Sequence, residues 1–197
     1  PDAVATLART FTDSSYDIRT VLRVLFNSDF FKEARYAKLR SPAEVVVGTL
    51  RLVGGAEFPA PGIGDLSRQS GYMGQDLLNP PSVEVWHTGV EWINSGSLMR
   101  RTNFFADMVG DVDRPGVRSI IDRLSAHGEV SPELFVDACL DLMGPLEVDD
   151  KTRRELVSHA SEDGPLGWGP KERFDASTRR VGEMLQLIVS QRDYQFA

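Results

Sequence analysis

An all-α fold is what this sequence predicts, and three observations carry that reading. Apolar residues recur at i, i+3, i+4 and i+7 in one segment after another. Two segments, beginning at Ser41 and Ser131, open on Ser-Pro, which supplies an N-cap oxygen followed by a residue pre-set for the first helical turn. No stretch holds a strand's alternation; "SVEVW" does so for only a few residues. The expected architecture is a single irregular bundle of about eight helices filling residues 1–197 as one domain, with a Pro-Pro and Trp-rich structural loop.

The elements follow in order. In "IRTVLRVLF", Ile18, Val21, Leu22, Leu25 and Phe26 share one helical face, with Ser14 or Ser15 as cap. "SPAEVVVGTLRLVGG" is the strongest helix. Ser41 caps it, Pro42 takes the first position, Glu44 completes a capping box and Gly54-Gly55 ends it. Its Val45, Val46, Val47, Leu50, Leu52 and Val53 point nearly all round, which predicts a central, buried helix. "EFPAPGIG" reads as a Pro/Gly connector, and Gly64 to Met73 as a further helix. After the loop, "SLMRRTNFFADMV" is capped at Ser95 or Ser97 and turns Leu98, Thr102, Phe105 and Val109 inward. Val117, Ile120, Ile121 and Leu124 form the next stripe. Ser131 caps the helix after it, which lacks a reciprocal box because its third position is Leu134; Leu134, Phe135, Ala138, Cys139 and Leu142 face inward. "DDKTRRELVSHA" is a polar outer helix and "SEDGPLGWGPKER" a loop. "STRRVGEMLQLIVS" closes the fold on Val181, Met184, Leu185, Ile188 and Val189.

Composition narrows the partners. At 41% hydrophobic and 26% charged residues, the chain has what an ordinary globular core needs without metals or disulfides. Its net charge of -7 argues against nucleic acid and anionic membrane, which repel an acidic surface. The arginine pairs each have acids nearby, so no basic stripe forms. With one cysteine, Cys139, no intrachain disulfide can form. No apolar run approaches the roughly 18 residues of a membrane span. The opening "PDAV" lacks Met, which reads as a trimmed piece of a longer, targeted protein.

The candidate chemistry is sparse. His87 and Glu91, four apart, suit an acid–base pair or half a metal site on a helix, though Thr88-Gly89 between them weakens the helix. His127 and His159 sit in no ligand spacing, and neither a Cys pair nor an H-E-x-x-H motif occurs, so no metal and no cofactor is expected. Cys139 lies on an apolar stripe, where a thiol acts as a small hydrophobe. No G-x-S-x-G elbow occurs, and "PGIGDL" lacks the strand and third glycine of a phosphate cradle. No catalytic residue can be named. Trp86 and Trp92 read either as a stacking platform for a sugar or other ligand, or as rings pinning an irregular loop onto the core; the pinning role is the favoured one. Asn79 before Pro80-Pro81 fits a turn, and Asn94 suits the start of the next helix. Trp168, bracketed by Gly and Pro, is either a contact anchor or a ring that tacks its loop down.

These segments also carry a resemblance. Lys38, Ser41 and Pro42 open a helix; Gly74, Gln75, Asn79, Pro80 and Pro81 precede Trp86, Gly89, Trp92, Ile93, Asn94 and Ser95; Leu98, Arg101, Asn103 and Phe104 follow. This order and spacing, together with the closing "MLQLIVSQRDYQFA", resembles the C-terminal part of the bacterial domain-of-unknown-function 1800 family, from about Phe11 onward. That family often has Gly where Val85 stands here, a position suited to positive φ. The resemblance implies a longer protein with a helical N-terminal half and an extracytoplasmic, periplasmic or secreted, setting. It implies no reaction and no catalytic residues.

The functional expectation is a non-enzymatic helical domain acting through protein contacts, as a structural or accessory part of a larger exported bacterial assembly, with a protein partner or the N-terminal region as its mate. The contact candidates are Trp86, His87, Glu91, Trp92, Asn94 and Trp168. The alternative is a hydrolase-like or carbohydrate-binding domain built on Trp86 to Asn94.

Overall fold

The computed structural model describes residues 2–55, 62–144 and 146–196. Most of the expected connector at 57–64 therefore lies outside the described residues. The chain gathers into two compact units, Pro1–Leu39 with Phe196–Ala197, and Arg40–Gln195. Among the described residues there are ten α-helices and no strand; Leu39–Phe196, Ser82–Val85 and Val130–Leu166 form only isolated bridges. The all-α expectation holds. Two helices join the eight read from sequence, one before Ser14 and one of a single turn at Asp29.

The first unit contains α1 (Asp2–Asp13), α2 (Ile18–Asn27) and α3 (Asp29–Lys32). α1 and α2 meet at a tight turn in which Ser15 and Tyr16 adopt φ of 55° and 68°. The ring of Tyr16 folds back edge-on to Phe11, 5.0 Å away. The cap of α2 is Asp17, not Ser14 or Ser15: its carboxylate accepts from the N–H groups of Arg19 and Thr20. The Thr20 hydroxyl and these amides hold that carboxyl below its ordinary range. Of the expected α2 stripe, Val21 and Leu25 are half-buried while Ile18, Leu22 and Phe26 are exposed. None of the three helices contains a buried residue.

The second unit holds the core. α4 (Pro42–Leu52) begins with the expected reciprocal cap, Ser41 Oγ accepting from Glu44 N–H and Glu44 accepting from Ser41 N–H. It is not wrapped on all sides. Pro42, Val45, Val46, Thr49 and Leu50 are buried, but Val47 is exposed and Leu52 half-exposed. The uniform apolar sequence hid which face the neighbours cover. α5 (Ile63–Tyr72) packs on α4, and α6 (Ser95–Gly110) packs on both. α6 buries Ser97, Arg101, Phe104, Phe105, Met108 and Val109, so the predicted inward face is rotated: Phe105 and Val109 are in place, Leu98 is exposed and Thr102 half-exposed.

α7 (Pro115–Ser125) buries all four predicted stripe residues. α8 (Pro132–Leu142) has its cap at Ser131 without a box and buries Phe135, Val136, Cys139 and Leu140; Leu134 is exposed, and Ala138 and Leu142 are half-buried. α9 (Asp150–Glu162) is the polar outer helix, touching the core through Leu156 and Ala160. α10 (Lys171–Val189) starts six residues earlier than predicted and runs along α6, also touching α7, α8 and α9. Its predicted stripe of Val181, Met184, Leu185, Ile188 and Val189 is fully buried.

One contact has no slack. Gly116 N–H donates to the Val53 carbonyl at 3.0 Å, so the start of α7 meets the end of α4 backbone to backbone. A Cβ on Gly116 would overlap the Leu52 carbonyl oxygen and the Val53 backbone. Gly54, at φ 74°, turns the chain away beneath it. We predict that Gly116→Ala destabilises the protein by about 3 kcal/mol or more, above the usual overpacking cost, because backbone cannot move aside as a side chain can. Urea unfolding followed by circular dichroism measures it, with Gly48→Ala, which meets nothing within 4 Å, as the tolerated control.

Candidate functional site

The connection from α5 to α6, Met73 to Asn94, is fastened at both ends. At the first end Met73 is buried, and Gln75 Oε1 accepts from Ala43 N–H at 2.8 Å, tying the loop to the first turn of α4. Asn79 then closes a small turn on Asp76, by backbone at 3.1 Å and side chain at 2.9 Å. At the far end Trp92 is 7% exposed, with its ring edge over Gly74. Its carbonyl accepts from Ser97 Oγ at 2.8 Å. Asn94 caps α6: its Oδ1 accepts from Ser97 N–H and its own N–H donates to Ser97 Oγ, both at 2.9 Å. The cap is therefore Asn94, with Ser95 and Ser97 inside the helix.

Between these anchors the chain is irregular and its aliphatic side chains face outward. Leu78 is 96% exposed, Val83 101% and Val90 77%, with Leu77 and Val85 also exposed. Leu78 and Val85 both have φ of 66°. Left-handed backbone is costly for any side chain and most so for a β-branched one. The conformation that glycine would suit at position 85 is thus present here with valine in it.

The sequence-derived candidates have separate placements. Trp92 and Asn94 are brought together through Ser97 and taken up by the fold. Trp86 is half-buried rather than sunk in the core, with its indole N–H shielded and without an acceptor among the described residues. His87 and Glu91 are exposed, and His87 Nδ1 lies 3.2 Å from Glu91 Oε2. Glu91 also accepts from Thr88 N–H at 3.4 Å, closing the short 3-10 turn Gly89–Trp92 within the irregular loop. Trp168 is elsewhere, half-buried, packed against the core and edge-on to Phe174 at 5.6 Å. Its loop is held by Ser177 Oγ, which donates to the Gly167 carbonyl and accepts from the Gly167 N–H.

A second polar cluster went unnoticed in the sequence. Arg101 is fully buried on the apolar face of α6. Its Nε donates to Gln195 Oε1 at 3.0 Å and its Nη2 to the Arg40 carbonyl at 2.6 Å. Arg40 N–H donates to the Gln195 carbonyl at 2.9 Å, and the Arg40 guanidinium lies 4.8 Å over the Tyr194 ring. Burial first, and the nearby Arg40 charge second, hold the Arg101 guanidinium down at about 10; Glu44 opposes them. The charged form is thus disfavoured in the fold by a few kcal/mol at neutral pH, an unfavourable contribution relieved only as pH rises through that value toward the free arginine range. The spacing of Arg101 from Ser97 and Phe105, one turn either way along a buried face, was the available signal.

The family model described as "Protein of unknown function (DUF1800)" matches residues 1–196. The chain belongs to this family. No curated protein and no solved structure matches it. The motif residues have structural roles here: Gln75 ties the loop to α4, Trp92 fills the core, Asn94 caps α6 and Arg101 joins three segments. Among the described residues no three His, Cys, Asp or Glu side chains gather as a metal site needs. Among them, too, no helix is long and apolar enough to cross a membrane.

Two outcomes follow. Val85→Gly relieves left-handed strain of about 1–2 kcal/mol and adds some unfolded-state entropy, for a net stabilisation of about 0.5–1 kcal/mol and a melting temperature higher by roughly 2–3 °C on calorimetry. Cys139 is buried and desolvation pushes its thiol far up, so a disulfide reagent at pH 8 should label it only at the rate of global unfolding. Stopped-flow labelling across urea concentrations checks this.

Proposed function

We propose that this DUF1800 chain acts by protein–protein contact, as a structural or accessory component of a larger assembly, and that the Leu77–Val90 loop is the contacting edge. One observation carries the reading: Leu78, Val83 and Val90 are almost wholly exposed on a loop whose two ends are hydrogen-bonded and buried. Single exposed aliphatic residues are ordinary; several on one short, fastened loop offer apolar surface that a partner would cover. The left-handed Leu78 and Val85 support it further, because strain of this sort persists where surrounding structure imposes it and clusters at binding segments. A fastened loop also loses little freedom on docking, which lowers the entropic cost of association. The exposed His87–Glu91 pair supplies a polar rim beside the aliphatic tips.

The test places a photo-crosslinking amino acid at Val83, and separately at the exposed control position Asp122, in the protein in its source cells. A discrete adduct from position 83 alone, lost when Leu78→Ser and Val90→Ser are added, is the expected result. Those two changes should weaken partner binding at least about tenfold, since each removes roughly 1–2 kcal/mol of apolar burial, while melting stays unchanged. Equal adducts at both positions, or none at Val83, would remove the loop from consideration.

A further inference from the structure

We infer that α2 of the first unit docks on an anionic phospholipid surface, with its exposed apolar row in the headgroup–acyl boundary and Arg19 and Arg23 on lipid phosphates. The row is Ile18, Leu22 and Phe26, four residues apart and therefore on one line along the helix, and all three are exposed. Phe31 of α3 extends it, also exposed and edge-on to Phe26 at 5.3 Å. Another side of α2 is already taken. Val21, Val24 and Leu25 are half-buried, and α1 packs against the helix. Because none of the three helices contains a buried residue, the first unit leaves in water apolar surface that folding ordinarily removes.

Charge selects what covers the row. Arg19 and Arg23 follow Ile18 and Leu22 by one position each, about 100° round the helix, and form a second exposed row beside the apolar one. α2 contains no acidic residue. Asp17 ahead of it feels the Arg23 charge, but its oxygens accept from Arg19 N–H, Thr20 N–H and the Thr20 hydroxyl at the cap. The first unit has six basic residues against five acidic, a net +1; the chain's -7 therefore leaves -8 on the second. The acidity that speaks against anionic surfaces thus belongs to the second unit, and exposed charges beyond about 8–10 Å are screened at physiological salt. An arginine row beside an apolar row is what a helix needs at a lipid interface. Leucine and phenylalanine enter the acyl boundary, while guanidinium groups on long stems reach back to phosphate. A protein groove would have to place carboxylates at the spacing of Arg19 and Arg23; an anionic lipid surface offers phosphate at every position. The inference stands independently of the loop reading above.

The experiment uses the whole chain. Cys139 is buried, so in Ile18→Cys an environment-sensitive thiol fluorophore goes to position 18. Vesicles of phosphatidylcholine with about one-third phosphatidylglycerol should shift its emission to the blue, and pure phosphatidylcholine vesicles should bind at least about tenfold more weakly. Raising salt from about 0.1 to 0.5 M should lower the affinity for the anionic vesicles at least about fivefold. Arg19→Gln with Arg23→Gln should lower it at least about tenfold, and Leu22→Ser about fivefold. Flotation of the unlabelled wild type with the same vesicles repeats the lipid and salt comparisons with no variant that has to fold. No blue shift and no flotation with anionic vesicles, or equal binding to both vesicle types, overturns the inference. An equal shift from the label at Asp122→Cys in the second unit does so too. So does an emission already blue and concentration-dependent without lipid, which places a second copy of the chain on the row.

Discussion

Arg101 joins three stretches of chain that are remote in sequence. It rises from α6, its Nη2 reaches the Arg40 carbonyl just ahead of α4, and its Nε reaches Gln195 in the short turn Asp193–Gln195. Arg40 and Gln195 also bond to each other through their backbones, so the three points close a ring of hydrogen bonds. Apolar packing around it is non-directional and would tolerate small slips between helices. A planar fork of donors with fixed directions tolerates none. The approach to α4 and the end of the second unit are thereby set relative to α6, at the cost of keeping a cation out of water.

From that ring the order extends to the loop. Gln75 hydrogen-bonds Ala43, three residues after Arg40, so the loop's first anchor depends on the same short segment that Arg101 holds. The second anchor is the start of α6, where Asn94, Ser97 and the Trp92 carbonyl bond together one turn before Arg101. Trp92 itself packs back over Gly74, beside Gln75, which draws the two anchors toward each other. Among the described residues, the loop between makes no such hydrogen bonds to the core. Its ends are placed by directional hydrogen bonds and a buried indole, and its middle must span the gap in whatever backbone conformation that spacing allows. Left-handed Leu78 and Val85 are the local result.

The legible parts of the fold were those where one signal sufficed. The stripes of α7 and α10 are buried residue for residue because a single helical face carries most of their large apolar side chains. The caps at Ser41 and Ser131 follow from local chemistry that tertiary packing does not override. Where apolar residues surround a helix, as on α4, or polar residues sit within the buried face, as at Ser97 and Arg101 on α6, periodicity alone assigned the wrong side: Val47 and Leu98 are exposed, and Arg101 is inside. A scale that ranks arginine as polar cannot register a position whose hydrogen-bond partners, Arg40 and Gln195, are remote in sequence. The α2 stripe shows the converse, for its periodicity is strong while Ile18, Leu22 and Phe26 stay exposed. A face's amphipathicity states that something can cover it, and only the surrounding structure states what does. In the loop, the side chains that looked functional by type, Trp92 and Asn94, serve the fold. The plain aliphatics beside them reach solvent.

That division of labour has a physical reason. A residue with a large apolar surface, such as Trp92, is well used in fixing an irregular segment, because its ring fills space while its backbone carbonyl accepts from Ser97. An aliphatic side chain in solvent gains nothing from the isolated fold, and in left-handed backbone it detracts from it. Leu78 and Val85 have both properties together, exposure and positive φ, and glycine or asparagine would relieve both penalties, at Leu78 with almost no contact inside the chain to lose. Stability of the second unit alone therefore gives no reason for aliphatic residues at these two positions. Burial against a partner does give one, since each would then contribute the transfer free energy of its side chain, on the order of 1–2 kcal/mol, enough to offset the backbone strain.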